Sequence, residues 1–187
     1  WERRIFLSHC RRIYGGDRRW TPPDARFIHA ALNPAQNPYL ARQKPQLLYF
    51  DGLRRLKEAP GIGTPNPAFF ETPLVSGILL QDAHRPDRTA HLAFLHCANS
   101  VGAFLDFQDK VVEAIAQQGI RRLIAPTGIS PYIGSGALLD HWHLPPPLHA
   151  PYNPPYLPEI LARRMKPIAQ SRVYEFTVHG ERRSTIK

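Results

Sequence analysis

Three features of this sequence predict an α/β (α+β) domain with a mixed, mostly antiparallel central sheet flanked by helices. Apolar residues recur at helical spacing near the start of the chain and again from about Val101 to Gln118. Short apolar runs bounded by turn residues read as strands. The elements follow the order helix, helix, strand, strand, strand, helix, strand. At 187 residues and 43% hydrophobic content the chain suits one domain, residues 1–187, with a substantial core.

Along the chain, Arg4 to Tyr14 is a first helix closed by Gly15-Gly16. Trp20-Thr-Pro-Pro-Asp24 turns into a second helix that runs to about Leu32 and ends at Asn33-Pro34. Gln46 to Asp51 is a strand, and the proline- and glycine-rich stretch at about 53–72 reads as a surface insertion. Pro73 to Gln81 and His91 to His96 read as adjacent antiparallel strands. Phe104, Phe107, Val111 and Ile115 line one side of the long helix that Gly119 stops, and Arg122 to Pro126 is a short buried strand. An irregular segment follows at about 127–153. The run Tyr152-Asn-Pro-Pro-Tyr-Leu-Pro-Glu-Ile-Leu161 then opens a helix through Met165, with Asn153 expected at its cap. Arg172 to Val178 alternates as a last strand.

The formal charge of +9, from 24 Lys+Arg against 15 Asp+Glu, brings polyanionic partners into consideration. The arginines come in separated pairs, however, so a solvated surface is favoured over a nucleic-acid face. Cys10 and Cys97 lack CxxC or metal spacing, no signal peptide is visible, and no apolar run approaches a bilayer span. These observations predict a soluble cytoplasmic protein with no membrane partner. The chain begins at Trp1, which is compatible with a piece of something longer.

Arg12-Ile-Tyr with Trp20-Thr-Pro-Pro23, Asn33-Pro34 with Asn37-Pro38-Tyr39, and Tyr152 to Leu161 occur in an order and at separations that carry a family likeness. Together they resemble the amino-terminal lobe of a group of two-lobed bacterial proteins in the GCN5-related N-acetyltransferase (GNAT) superfamily. That resemblance implies an acyl-coenzyme A acyltransferase fold, with acetyl-CoA or another acyl-CoA as co-substrate and a small-molecule amine as acceptor. It also implies a second GNAT-like lobe or a homodimer as partner. The cofactor would meet the strand-to-helix junction at Cys97, Ala98, Asn99, Ser100, Val101 and Gly102, where unpaired helix amides suit a pyrophosphate, and also Asn153. Tyr152 and Tyr156 are the candidates for the acid that protonates the departing thiolate.

The chain departs from the superfamily pattern at two points. Only Gly102 stands where a glycine-rich phosphate loop is usual, and the position of the usual acid falls on Ile160 or Leu161. An active acyltransferase and a degenerate lobe are therefore both readings of this sequence. A non-catalytic module that engages an acidic partner or nucleic acid through its basic surface is the alternative.

Other constellations have plainer readings. His141, His143 and His149 lack a carboxylate or cysteine at ligand spacing, so no metal is expected. His96 and Cys97 are consecutive on a strand and point apart, which favours a buried thiol over a nucleophile. Gly134-Ser-Gly136 is a weak anion-cradle signal within a segment that, under the family likeness, covers the cleft.

Overall fold

A computed structural model describes residues 2–22, 24–41, 46–50, 56–58, 73–81, 87–128, 134–146 and 150–172. Its elements are α1 (Glu2–Tyr14), α2 (Ala25–Ala31), α3 (Pro38–Ala41), β1 (Gln46–Phe50), β2 (Leu56–Glu58), β3 (Val75–Gln81), β4 (Thr89–Cys97), α4 (Val101–Ala116), β5 (Arg122–Thr127) and α5 (Tyr156–Ala162). The strands form one mixed sheet in the order β2-β1-β3-β4-β5. All neighbours are antiparallel except β4 and β5, which run parallel on either side of the α4 crossover.

The mixed α/β layout agrees with the sequence expectation, and four details differ. Leu56–Glu58, inside the stretch read as a surface insertion, pairs with β1 as an edge strand. The short helix α3 was not expected, because the prolines around Asn33 and Asn37 read only as a stop. Helix α5 ends at Ala162, one turn short of Met165. Strand β5 is half-buried, not buried. The expected last strand, apart from Arg172, lies outside the described residues.

The sheet sits between two helical layers. Every residue of β3 is buried, as a central strand covered on both faces requires. On one face Val75 and Leu79 join Ala90, Leu92, Leu95 and Cys97 beneath Phe104, Phe107, Val111 and Ile115 of α4 and Leu157, Ile160 and Leu161 of α5. On the other face Ile78, Leu80 and Ala93 meet Cys10 of α1, Ile28 of α2 and Leu40 of α3. Asp24 caps α2 by accepting from the Arg26 amide, and Ser100 caps α4 by accepting from Ala103 N.

A bulge in β4 keeps both layers in register. Two steps on β3, from Ser76 to Ile78, face three on β4, from Ala93 to His96. The extra residue is Phe94, held at φ 50°. Before it the even residues Ala90 and Leu92 face α4; after it the odd residues Leu95 and Cys97 do. Without the additional residue, Cys97 and Leu95 would turn away from α4. Gly77 lies opposite, where an added Cβ would come within 2.9 Å of Leu92 Cδ1.

Phe107 is fully buried at the centre of the α4 face. Phe107→Ala is expected to lower unfolding stability by about 3–5 kcal/mol, measured by urea denaturation.

Candidate functional site

Strands β4 and β5 separate where they would otherwise continue to pair. The register runs Thr89 with Arg122, Ala90 with Leu123 and His91 with Ile124, then shifts to Ala93 with Thr127, the last pair. Here β5 takes three steps against two on β4, and it contains Pro126, which has no N–H to give a ladder. Beyond this point Phe94 turns inward and Gly128 leaves the sheet, its amide donating to Ser135 Oγ at 2.7 Å. Gly136 N donates back to Pro126 O at 3.0 Å, which fixes the 134–139 segment beside the strand end.

The separation opens a cleft of about 1430 Å³ along β5. Its walls come from α2 (Phe27), β4 (His91, Phe94), β5 (Ile124 to Thr127) and the α5 end with its continuation (Leu161, Met165). Ser135, Gly136, Ala137 and Leu139 line it as well. Lys166 is the only Lys, Arg, Asp or Glu among the described lining residues.

The residues expected from sequence to hold a cofactor do not line this cleft. None of Cys97, Ala98, Asn99, Ser100, Val101 or Gly102 is among its walls. They form the β4-to-α4 turn, starting three residues beyond Phe94. Ala98 N donates to Leu74 O at 2.7 Å, Ser100 N to Ala98 O at 2.7 Å and Phe104 N to Ser100 O at 3.1 Å. Among the described residues the Val101 and Gly102 amides find no acceptor, so the α4 amino terminus keeps two free donors. An added Cβ at Gly102 would meet nothing within 4 Å, so this glycine stands in open space.

Cys97 is anchored by two tyrosines. Its amide donates to Tyr14 Oη at 3.0 Å, and its carbonyl accepts from Tyr156 Oη at 2.8 Å. Its thiol donates to Ala98 O, and burial pushes its pKa up to about 12. It is therefore a buried thiol and not a thiolate nucleophile near neutral pH. Burial, with Cys97 nearby, also raises Tyr156 to about 12.

Tyr152 serves a different contact. Its hydroxyl donates to Oδ2 of the Asp17 carboxylate, which Arg19 also grips through Nε at 3.0 Å and Nη2 at 2.8 Å. The Arg19 hydrogen bonds, followed by that from Tyr152, hold the Asp17 pKa far below the usual carboxylate range. Arg19 Nη1 also reaches Trp142 O at 3.1 Å, so the α1–α2 turn is strapped to two later segments. Tyr14 stacks edge-on to both Tyr152 and His96, with centroids 5.7 and 5.4 Å away. Tyr14, Asp17 and Tyr156 line a second, shallower depression of about 500 Å³ together with Arg18.

Asn153 does not cap α5, which corrects the sequence expectation. The cap position is Pro155, with no side-chain hydrogen bond. Asn153 lies two residues too early, and its amide instead grips Leu138. Oδ1 accepts from Leu138 N at 2.6 Å, and Nδ2 donates to Leu138 O at 3.2 Å and Pro154 O at 3.1 Å. It pins the irregular segment to the proline corner.

Among the described residues no three His, Cys, Asp or Glu side chains converge on a possible metal position. His141 pairs with Asp140 at 2.9 Å and lies 5.8 Å from His143, while His149 is outside the described residues. No helix among the described residues is long and apolar enough to cross a membrane. Sequence reasoning missed Phe94, Thr127 and Asp17. Only Asp17, an isolated carboxylate before Arg18-Arg19, left a visible trace in composition.

Comparison of this chain with protein-family models, curated proteins and solved structures returns no match.

Asn153→Ala is expected to cost about 2–3 kcal/mol, because the Leu138 amide and carbonyl lose their partner in a buried setting; chemical denaturation reads this directly. Stability should also fall in acid. Burial lowers His9 to about 4 and His96 to about 3, against 6.5 when unfolded. Below pH 6.5 the unfolded chain binds the extra protons, so stability is full above 6.5 and declines as pH drops toward 4 and 3. Each histidine contributes up to about 1.4 kcal/mol per pH unit. Thermal midpoints across pH 4–8 should show this acid limb, and His96→Phe, which keeps a ring against Tyr14, should flatten it.

Proposed function

We propose that the chain is an acyl-CoA-dependent N-acyltransferase-like domain that binds an acyl-coenzyme A thioester where β4 and β5 part. The observation that carries this reading is the combination of parallel β4 and β5, the Phe94 bulge, the cleft along β5 and an α4 amino terminus with free Val101 and Gly102 amides. The motif order in the sequence supports the same assignment.

In this reading the thioester lies along the separated strands, and the pyrophosphate approaches the α4 first turn, where free N–H groups and the helix dipole favour negative charge. A small-molecule amine attacks the thioester carbonyl directly. The chain's contribution is to hold both reactants in attack geometry and to exclude water. Transfer then forms the C–N bond as the C–S bond breaks, with the amine nitrogen giving up one proton and the departing thiolate taking one up.

A second reading, non-catalytic binding, is favoured by the tyrosines. Tyr152 and Tyr156 both spend their hydroxyl protons on internal acceptors, Asp17 and Cys97 O, and burial raises both pKa values. A tyrosine so held is a poor proton donor to a leaving thiolate. This reading keeps the acyl-CoA cleft, gives up the turnover, and makes a second GNAT-like lobe or a homodimer the natural partner for a degenerate lobe. Engagement of an acidic partner or nucleic acid through the basic surface belongs to the same non-catalytic class.

Thermal unfolding with acetyl-CoA, free CoA and a short oligonucleotide, at low and moderate salt, separates these readings. A ligand at a hundredfold excess over its Kd stabilises the folded state by about 2.7 kcal/mol. A salt-resistant shift with both coenzyme species is the expected result. No shift with either, or a shift only with the oligonucleotide that vanishes with salt, would sink the acyl-CoA assignment. If coenzyme binding is confirmed, an amine screen for released thiol then decides between transfer and binding alone.

A further inference from the structure

Resting on the acyl-CoA reading, we infer that the cleft along β5 accommodates an aliphatic acyl chain with an anionic head, and not an acetyl group alone. Three observations converge on this ligand chemistry. The cleft, at about 1430 Å³, exceeds the roughly 300–1,000 Å³ usual for small-molecule pockets. Its walls are mainly aliphatic and aromatic, with Phe27 from α2, Phe94 from β4, and Leu161, Met165 and Ile168 from the α5 end and its continuation. An acetyl group would leave most of that apolar surface facing water.

Charge selects the head group. The described cleft walls carry no carboxylate to hold a cationic ligand, and Lys166 sits among them with no ion pair among the described residues. One ammonium beside a long apolar surface complements an amphipathic anion.

Thr127 supplies a polar anchor. It is the last β5 residue paired to β4, it lines the cleft, and its hydroxyl is buried with no partner among the described residues. A buried hydroxyl without a hydrogen bond is costly. One χ1 step exchanges the threonine methyl and hydroxyl, which turns the O–H toward the cleft as a donor to an acyl carbonyl. The carbonyl then sits where the strands part, and the chain extends along the apolar walls.

Calorimetric titration of the full chain with free CoA, acetyl-CoA, octanoyl-CoA and octanoate tests this. Octanoyl-CoA is expected to bind more tightly than acetyl-CoA, by about fourfold for each methylene buried. Octanoate is expected to bind more weakly, in a manner sensitive to salt and to Lys166→Gln. Equal affinity for acetyl-CoA and octanoyl-CoA would overturn the chain site while leaving coenzyme recognition standing. Octanoate and octanoyl-CoA binding alike, with no binding of free CoA, would uphold the chain site and overturn the coenzyme reading. Failure of both octanoyl ligands overturns the chain site outright. Thr127→Val should raise the thermal midpoint of the free protein, because an unsatisfied hydroxyl is removed, yet weaken octanoyl-CoA binding about tenfold. Unchanged affinity in that variant would exclude Thr127 as the anchor.

Discussion

The left-handed backbone at Phe94 is the constraint on which the other features depend. An aromatic residue at φ 50° inside a strand costs about 1–3 kcal/mol of local strain. The surrounding packing offsets that cost by letting the two halves of one strand, out of step by one residue, face the same helical layer. Upstream, β4 sends Ala90 and Leu92 to α4; downstream, it sends Leu95 and Cys97 to the same side and His96 toward Tyr14. The same change of step moves Phe94 to the mouth of the cleft. Packing register and site geometry are thus one event in the backbone.

Around the end of β4, polar contacts hold the frame that the bulge creates. Tyr14 and Tyr156 approach Cys97 from α1 and α5, on opposite sides of the sheet, and take its amide and carbonyl as partners. Because these groups close the hydrogen bonding of the strand terminus, Tyr14 and Tyr156 together fix the turn into α4. Asn153 acts in the same manner on the irregular segment through Leu138. Rigidity in this region rests on side-chain to backbone hydrogen bonds where the sheet ladder has ended.

How much of this was legible in the sequence depended on the range of the interaction that decides each feature. The apolar spacing of Phe104, Phe107, Val111 and Ile115 is local, and α4 and its buried face followed from it. Strands β3 and β4 were equally legible from their runs of apolar residues. The edge strand Leu56–Glu58 was not, since its pairing with Leu48 to Phe50 is tertiary and the sequence that follows it is rich in proline and glycine. Asn153 looked like a cap because caps and backbone clasps use the same side-chain chemistry, and only the position of Leu138 distinguishes them. The cleft was the least legible feature. A bulge at an ordinary phenylalanine has no compositional mark, and the junction at 97–102 drew the reading toward the helix terminus and away from the wall residues on β5.

The strap of Arg19 and Asp17 onto Trp142 and Tyr152 spans 123 and 135 residues of chain. Contacts so distant in sequence form late, after shorter loops have closed. During synthesis the α1–α2 turn emerges well before its partners do, and until then Asp17 has only Arg19 beside it. The later-made proline corner is thus what locks the earlier α1–α2 turn in place.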